Sequence, residues 1–437
     1  MPSSLTRSQA FRQLLIFSVP IILGQVGIML IGTGDMIIAG RYSRECLAAI
    51  GLAISVANPI MISLLGMQFS ISPLLAQKLG RGETVSEYFW TVILYSILVS
   101  IVSCAITLLS LEFIPLFGYG DTTTRLMREY LLITSFSTLG LCLYQGVKEF
   151  LQAQEKTLSA NFIALVAVGV NLVFNYVLVF GEFGAPKLNE AGLAWASLGV
   201  RLFMGLGLFA FTSKYWVGKI RIDWKFMGEI FKLGLPITLT LFFEILAFCS
   251  VTLFIGKFAE VQTAANNLAL NLGSLAFMIP LSISAAVAVK VGHAYGEKKR
   301  AEIQTFNEVS LMFAVGFAIT TGLIFYFAPL PILKLYTSDA EVLAWATKLL
   351  FWVACFQLFD GTQVTLAGIL RGLSVTRASS IAVFIGYWLI GIPLGYYLGF
   401  HRSLEAQGFW IGLAVSLALV AVMLAGVLNR QMRQLKL

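Results

Sequence analysis

The sequence predicts an all-α integral membrane protein, with twelve transmembrane helices forming two pseudo-symmetric six-helix lobes around a central cleft. Three observations carry that prediction. Of 437 residues, 58% are hydrophobic and 12% charged, about half the charged share of an average soluble domain, and the mean hydropathy is +0.86. The apolar residues run continuously for about 20 positions at a time, the length that crosses a bilayer as a helix. The roughly ten-residue in-and-out alternation of a membrane barrel is missing. Finally, the chain repeats itself at an offset of 216 residues.

The apolar runs centre near residues 25, 60, 100, 138, 170, 202, 244, 276, 318, 354, 389 and 418. Thirty-four Phe and only 11 Pro suit a bundle of long helices. Arg7 and Arg12 precede a first run too long for a signal peptide and without a clear small-residue cleavage site, so it reads as the first span. With the N-terminus inside, the tails and even-numbered connections, from Arg7 to Lys436, hold 20 Lys and Arg. The opposite side holds 9, and Arg201 lies inside a span. Lys and Arg mark cytoplasmic loops, so both termini are predicted cytoplasmic. The same loop charges account for the net charge of +8 without a nucleic-acid partner, for which no motif exists. Cys46, Cys104, Cys142, Cys249 and Cys355 are scattered singly, with no CxxC and no metal spacing, and read as small packing residues.

The longest polar break, KYWVGKIRIDWKF over 214–226, separates two sets of six spans. The expected organisation is an N-terminal lobe over 1–213, a cytoplasmic linker over 214–228 and a C-terminal lobe over 229–437. Sliding the chain by 216 residues lays Pro20 on Pro236, Gly40 on Gly256, Ala48 and Ala49 on Ala264 and Ala265, and Gly80 on Gly296. A later match, LQAQEKTLSA over 151–160 against LRGLSVTRAS over 370–379, needs an offset of 219. Six helices per copy leave both copies in one membrane orientation, related by an axis along the membrane normal, an arrangement suited to alternating access.

The acids break this symmetry. Glu244 is the twelfth and only charged residue of the 22-residue run Leu233 to Phe254, where a charge costs roughly 2.5–3.5 kcal/mol on insertion scales. Asp360 is the twelfth residue of the 22-residue run Leu349 to Leu370, at a similar depth, so the two acids can face each other in the second lobe. Asp35, in IGTGDMIIAG, lies toward the outer end of the first span. The 216-residue slide lays Glu244 on Ile28 and Asp35 on Val251, so the skeleton is duplicated and its acids are not. Asn171 and Asn175, four apart in VNLVFNY, share one helical face. With Asp35 they offer the oxygen ligands a hard cation such as Na+ requires; alternatively the carboxylates bind and release protons. Both uses need an acid in a wet internal cavity, and both stay open at this point. The bases available for pairing are Lys290, placed to snorkel, and the deeper Arg201, read as a structural partner or a regulator of the Asp35 site. Met61, Met67, Phe242 and Phe243 read as packing or lipid-facing residues, some suited to an adaptable pocket.

The pattern PIILGQVGIMLIGTGDMIIAG, followed by LAAIGLA and LAQKLGRGE, resembles the first two spans of the multidrug and toxic compound extrusion transporters, and FQLFDGTQVTLAGILRG resembles their tenth. Acids at both Glu244 and Asp360 are similar to the NorM branch rather than the DinF-like branch. The resemblance implies a secondary active antiporter that exports cationic amphipathic compounds in exchange for Na+ or H+, with substrate in the cleft between the lobes. It implies a first-lobe cation site at Asp35, Asn171 and Asn175 and a second-lobe cation-coupling and substrate site at Glu244 and Asp360, Na+ being a candidate ligand of either. Some relatives carry an aspartate at the position of Asn175, so the asparagine here argues against proton-only use of that site. It further implies a bacterial inner membrane, a single chain acting alone among lipids with small cationic substrates as partners, and no cofactor beyond the transported ion. A lipid-linked oligosaccharide flippase of related design is the alternative, but its polyanionic cargo calls for a cleft lined by Arg and Lys. An enzyme is disfavoured, since the chain shows no His/Cys metal set, no Gly-rich phosphate loop and no nucleophile with a base.

Overall fold

The computed structural model describes residues 5–184, 186–216 and 220–435. Twelve helices long and apolar enough to cross a membrane account for most of them: α1 (Arg7–Tyr42), α2 (Glu45–Gly80), α3 (Val85–Phe117), α4 (Asp121–Ala153), α5 (Leu158–Phe180), α6 (Ala191–Phe211), α7 (Trp224–Ile255), α8 (Glu260–Gly296), α9 (Arg300–Phe327), α10 (Ala340–Gly372), α11 (Arg377–His401) and α12 (Glu405–Gln434). Every predicted run centre falls inside the corresponding helix, and no strand occurs among the described residues. Hydropathy alone therefore located the spans, because helices that bury their backbone bonds internally are the structures an apolar run of this length can form in lipid.

The chain folds as two compact units, one of Val19–Thr238 and the other of Leu239–Leu437 together with the described part of Met1–Ser18. These bounds exchange two pieces relative to a plain division at the 214–228 tract. Contacts explain the first exchange: in the C-terminal unit Arg7 pairs with Glu308 at 2.6 Å, the Phe11 ring lies 5.6 Å from that of Phe313, and the Lys290 ammonium sits 5.8 Å over the Phe17 ring. In the N-terminal unit the first half of α7 meets α2, where the Ser70 hydroxyl donates to the Ile230 carbonyl at 3.0 Å. The helices pass from one unit to the other beside Pro20 and Pro236, the prolines that the 216-residue repeat superposes. A proline inside a helix removes one backbone hydrogen bond, so it favours a change of packing partner at that point.

Helix α7 also begins inside the tract expected to be linker. Asp223 accepts from the Phe226 backbone N–H at 2.9 Å, and its own N–H donates to Thr91 at 2.9 Å, so this acid caps α7 and ties it to α3. Residues 217–219 of that tract, and Lys436 among the counted tail charges, lie outside the described residues. Of the cysteines, Cys46 and Cys142 are buried as packing residues, Cys104 and Cys355 are partly covered, and Cys249 is exposed on α7 rather than packed.

Within the N-terminal unit α4 packs along α6. A Cβ at Gly140 would stand 2.4 Å from the Arg201 carbonyl oxygen, and one at Gly205 would stand 2.3 Å from the Gly140 carbonyl oxygen. Backbone contact this close is how membrane helices gain packing energy without a hydrophobic driving force. Gly140→Leu is expected to destabilise the detergent-purified protein by about 1–3 kcal/mol, the usual penalty of overpacking. Gly228→Ala, in a helix where nothing lies within 4 Å, should not destabilise and should add up to about 1 kcal/mol. Thermal unfolding of the two variants checks this, and equal melting temperatures would contradict the close-packing account.

Candidate functional site

Asp35 lies on α1 and is 3% exposed. Its Oδ1 accepts hydrogen bonds from Asn171 Nδ2 at 2.8 Å and Asn175 Nδ2 at 2.7 Å, and its Oδ2 accepts from the Ser197 hydroxyl at 2.9 Å. Three helices of the N-terminal unit thus meet at one carboxylate. The i, i+4 spacing stacks the two asparagines on one face of α5. Gly34 lets that face come close, because a Cβ there would stand 2.8 Å from Asn171 Oδ1. A carboxylate only accepts, so the amides turn their NH2 groups toward it. The amide oxygens Asn171 Oδ1 and Asn175 Oδ1 are buried without a hydrogen-bond partner. The buried Tyr130 hydroxyl of α4 adjoins Ser197.

In the C-terminal unit Glu244 of α7 and Asp360 of α10 come within electrostatic range of one another and of Tyr387 on α11. The Tyr387 hydroxyl donates to Glu244 Oε1 over a long 3.4 Å, and Trp388 Nε1 donates to the neighbouring Phe243 carbonyl at 3.1 Å. Both donors stand on Phe384–Gly391, a π-helical stretch of α11. The wider turn presents two successive aromatic donors to α7, and such stretches are common at functional sites. Aromatic pairs join α7 to α11 and to Tyr387, with Phe243 to Phe384 at 5.0 Å and Phe248 to Tyr387 at 6.0 Å. Asp360 is 4% exposed, and its Oδ1 has no hydrogen-bond partner. Gln363 Oε1, one turn further along α10, is likewise buried and without one.

The five residues singled out in the sequence therefore fall into two clusters, Asp35 with Asn171 and Asn175, and Glu244 with Asp360. Neither expected base closes an ion pair with them among the described residues. Arg201 donates instead to the Ser137 hydroxyl at 2.7 Å and to Met61 sulfur at 3.5 Å, and Lys290 lies over Phe17. Sequence reasoning missed Ser197, Tyr130, Tyr387 and Gln363. Ser197 sits in the small-residue run AWASLGV, which reads as helix packing, and no local signal separates Tyr387 from the chain's many other aromatics. Among the described residues no three His, Cys, Asp or Glu gather as a metal centre. Each cluster instead combines carboxylate with neutral oxygens, a donor set suited to a proton or a hard monovalent cation.

Comparison with known proteins fits this architecture. The MatE family model matches twice, over residues 20–177 and 236–397, so its two copies begin at the superposed prolines. The "Probable multidrug resistance protein NorM" of Halalkalibacterium halodurans is 30% identical over 431 residues, covering 96% of this chain and 94% of that protein. Its namesake in Rhizobium meliloti is 34% identical over 439 residues, covering 95% and 92%. The crystal structure of a eukaryotic MATE transporter superposes with a TM-score of 0.88 at 19% identity, covering 98% of this chain and 99% of that one, a likeness of fold. Twelve spans, two units with a repeated family match, and near full-length similarity to NorM proteins together place the chain in the MatE family of multidrug efflux transporters.

Proposed function

We propose that the protein is a secondary active antiporter that exports cationic amphipathic compounds in exchange for Na+ or H+ by alternating access. The observation that carries this reading is the presence of two acidic clusters at membrane depth, neither in a direct ion pair with a base among the described residues. A buried carboxylate that no base contacts directly is favourably placed to take up a cation. In an exporter of cations that cation is the coupling ion in one state and the cargo in the other.

The N-terminal cluster is the better ion site. Both carboxylate oxygens of Asp35 take hydrogen bonds, Oδ1 from the two asparagine amides and Oδ2 from the Ser197 hydroxyl, which the Tyr130 hydroxyl adjoins. Rotating the amides would turn their unpartnered oxygens toward a bound ion. The C-terminal cluster, with aromatic rings beside Glu244, suits an organic cation, which gains from ring faces as well as from charge. Asp360 Oδ1 and Gln363 Oε1 add two acceptors there, so this cluster also suits a coupling ion. Competition between cargo and ion drives exchange, because each ligand shifts the conformational equilibrium only by its differential affinity for the two states. The reading assigns no catalysis, and it places the chain in a bacterial inner membrane as a single working subunit. The mid-membrane acids disfavour a polyanionic, lipid-linked oligosaccharide as cargo.

Glu244→Gln and Asp360→Asn each remove one charge from an interaction worth roughly 1.5–3 kcal/mol, so ion-driven efflux should fall about ten- to hundredfold, with insertion and yield unchanged. Ethidium transport by everted vesicles checks this, and parental rates in both variants would overturn the assignment. The excess of Lys and Arg predicts cytoplasmic termini. A fluorescent protein fused after residue 437 should therefore be bright and a periplasmic phosphatase there inactive, whereas the reverse pattern would refute the topology.

A further inference from the structure

Arg201 is a fixed positive charge in the middle of a span, the eleventh of the 21 residues of α6. Its backbone is clamped by the Gly140 contact, and its guanidinium is held by two neutral groups, Ser137 on α4 and Met61 on α2. Among the described residues no carboxylate lies within ion-pair distance of it. Asp35 lies within its electrostatic range, and Ser197, which bonds Asp35, stands one helical turn before Arg201 on the same face of α6. The parallel partner on α4 repeats this ladder: Tyr130 adjoins Ser197, and Ser137, two turns on, anchors Arg201. The scaffold thus holds the cation near the acid but keeps the two from touching.

We infer that Arg201 is the fixed counter-charge of the Asp35 site: it makes the site electroneutral before a cation binds, limits it to one monovalent ion, and weakens that ion's binding enough for release. The inference rests on the proposed reading of Asp35 as a cation site. A direct ion pair would quench the carboxylate, and no base at all would leave a net negative site in low dielectric, where binding is tight and divalent ions compete. A base held at intermediate range avoids both extremes. It acts through Asp35 and needs no contact with the ion or the cargo. Other groups around the pair are Tyr130 and Cys142 on α4, and beyond Tyr130 a small cavity lined by Cys46, Glu129 and Glu190. Of these groups and Asp35 itself, Arg201 alone is a base.

Purified full-length protein in proteoliposomes tests this through ethidium transport titrated with Na+ at fixed pH, and with protons in the absence of Na+. Arg201→Gln should lower the half-activating concentration of the coupling ion about tenfold, equivalent to about 1.4 kcal/mol, lower the maximal rate, and make transport sensitive to Ca2+. Arg201→Lys, which keeps the charge, should titrate like the parent. Ser137→Asp, which neutralises the guanidinium in place, should reproduce the Gln phenotype and serves if the Gln variant does not fold. A merely structural role would lower the rate without tightening the ion. Unchanged half-activation in both charge-neutralising variants, or an equal shift in Arg201→Lys, overturns the inference. Asp35→Asn separates the two levels. If it retains parental ion dependence, the cation-site reading itself fails; if it loses that dependence while Arg201→Gln and Ser137→Asp titrate normally, only the role of Arg201 fails.

Discussion

The N-terminal unit is organised by the solvation of one carboxylate. Asp35 takes hydrogen bonds from α5 and α6, so its position ties three helices together where lipid would otherwise separate them. Hydrogen bonds to a charged group are worth roughly 1.5–3 kcal/mol each, enough to offset much of the cost of holding an acid at that depth. The donors are neutral, and that is what leaves the site usable. A lysine in place of either asparagine would hold the carboxylate as a permanent pair, whereas amides and a hydroxyl can exchange donor for acceptor faces when a cation arrives.

The duplicated skeleton explains why one chain carries two dissimilar clusters. Matching halves supply matching frames, down to the prolines at which α1 and α7 change units. Within those frames the chemistry has diverged. In the N-terminal cluster amides and a hydroxyl satisfy both oxygens of the acid and the unpartnered oxygens belong to the amides, while in the C-terminal one Tyr387 donates to Glu244 and the acid Asp360 itself keeps an unpartnered oxygen. On the proposed reading this divergence is a division of labour, one site tuned for a small ion and the other broad enough for organic cations.

Much of this was legible in the sequence, for reasons that also mark where legibility ends. Apolar runs locate spans because lipid admits few alternatives, and acids inside such runs are conspicuous because they are unfavourable there. Asp35, Glu244 and Asp360 stood out on that ground, and Asn171 and Asn175 by their four-residue spacing on one helical face. Ser197 did not, since serine is tolerated anywhere on a packed membrane helix, and Tyr387 did not, since its role depends on a π-helical turn that periodicity does not reveal. The start of α7 at Trp224 was hidden because a capping aspartate reads as linker polarity until its hydrogen bond is seen. The exchange of helix ends between units was equally hidden, because it depends on which surface buries each half of α1 and α7, and composition does not encode that.

The central claim is that cation movement drives cation export, and it is tested most directly by accumulation of ethidium in proteoliposomes under a Na+ gradient and a proton gradient imposed separately. The account predicts that at least one gradient drives accumulation and that dissipating it stops transport. If neither gradient moves ethidium or other organic cations through folded, inserted protein, the antiport account is contradicted.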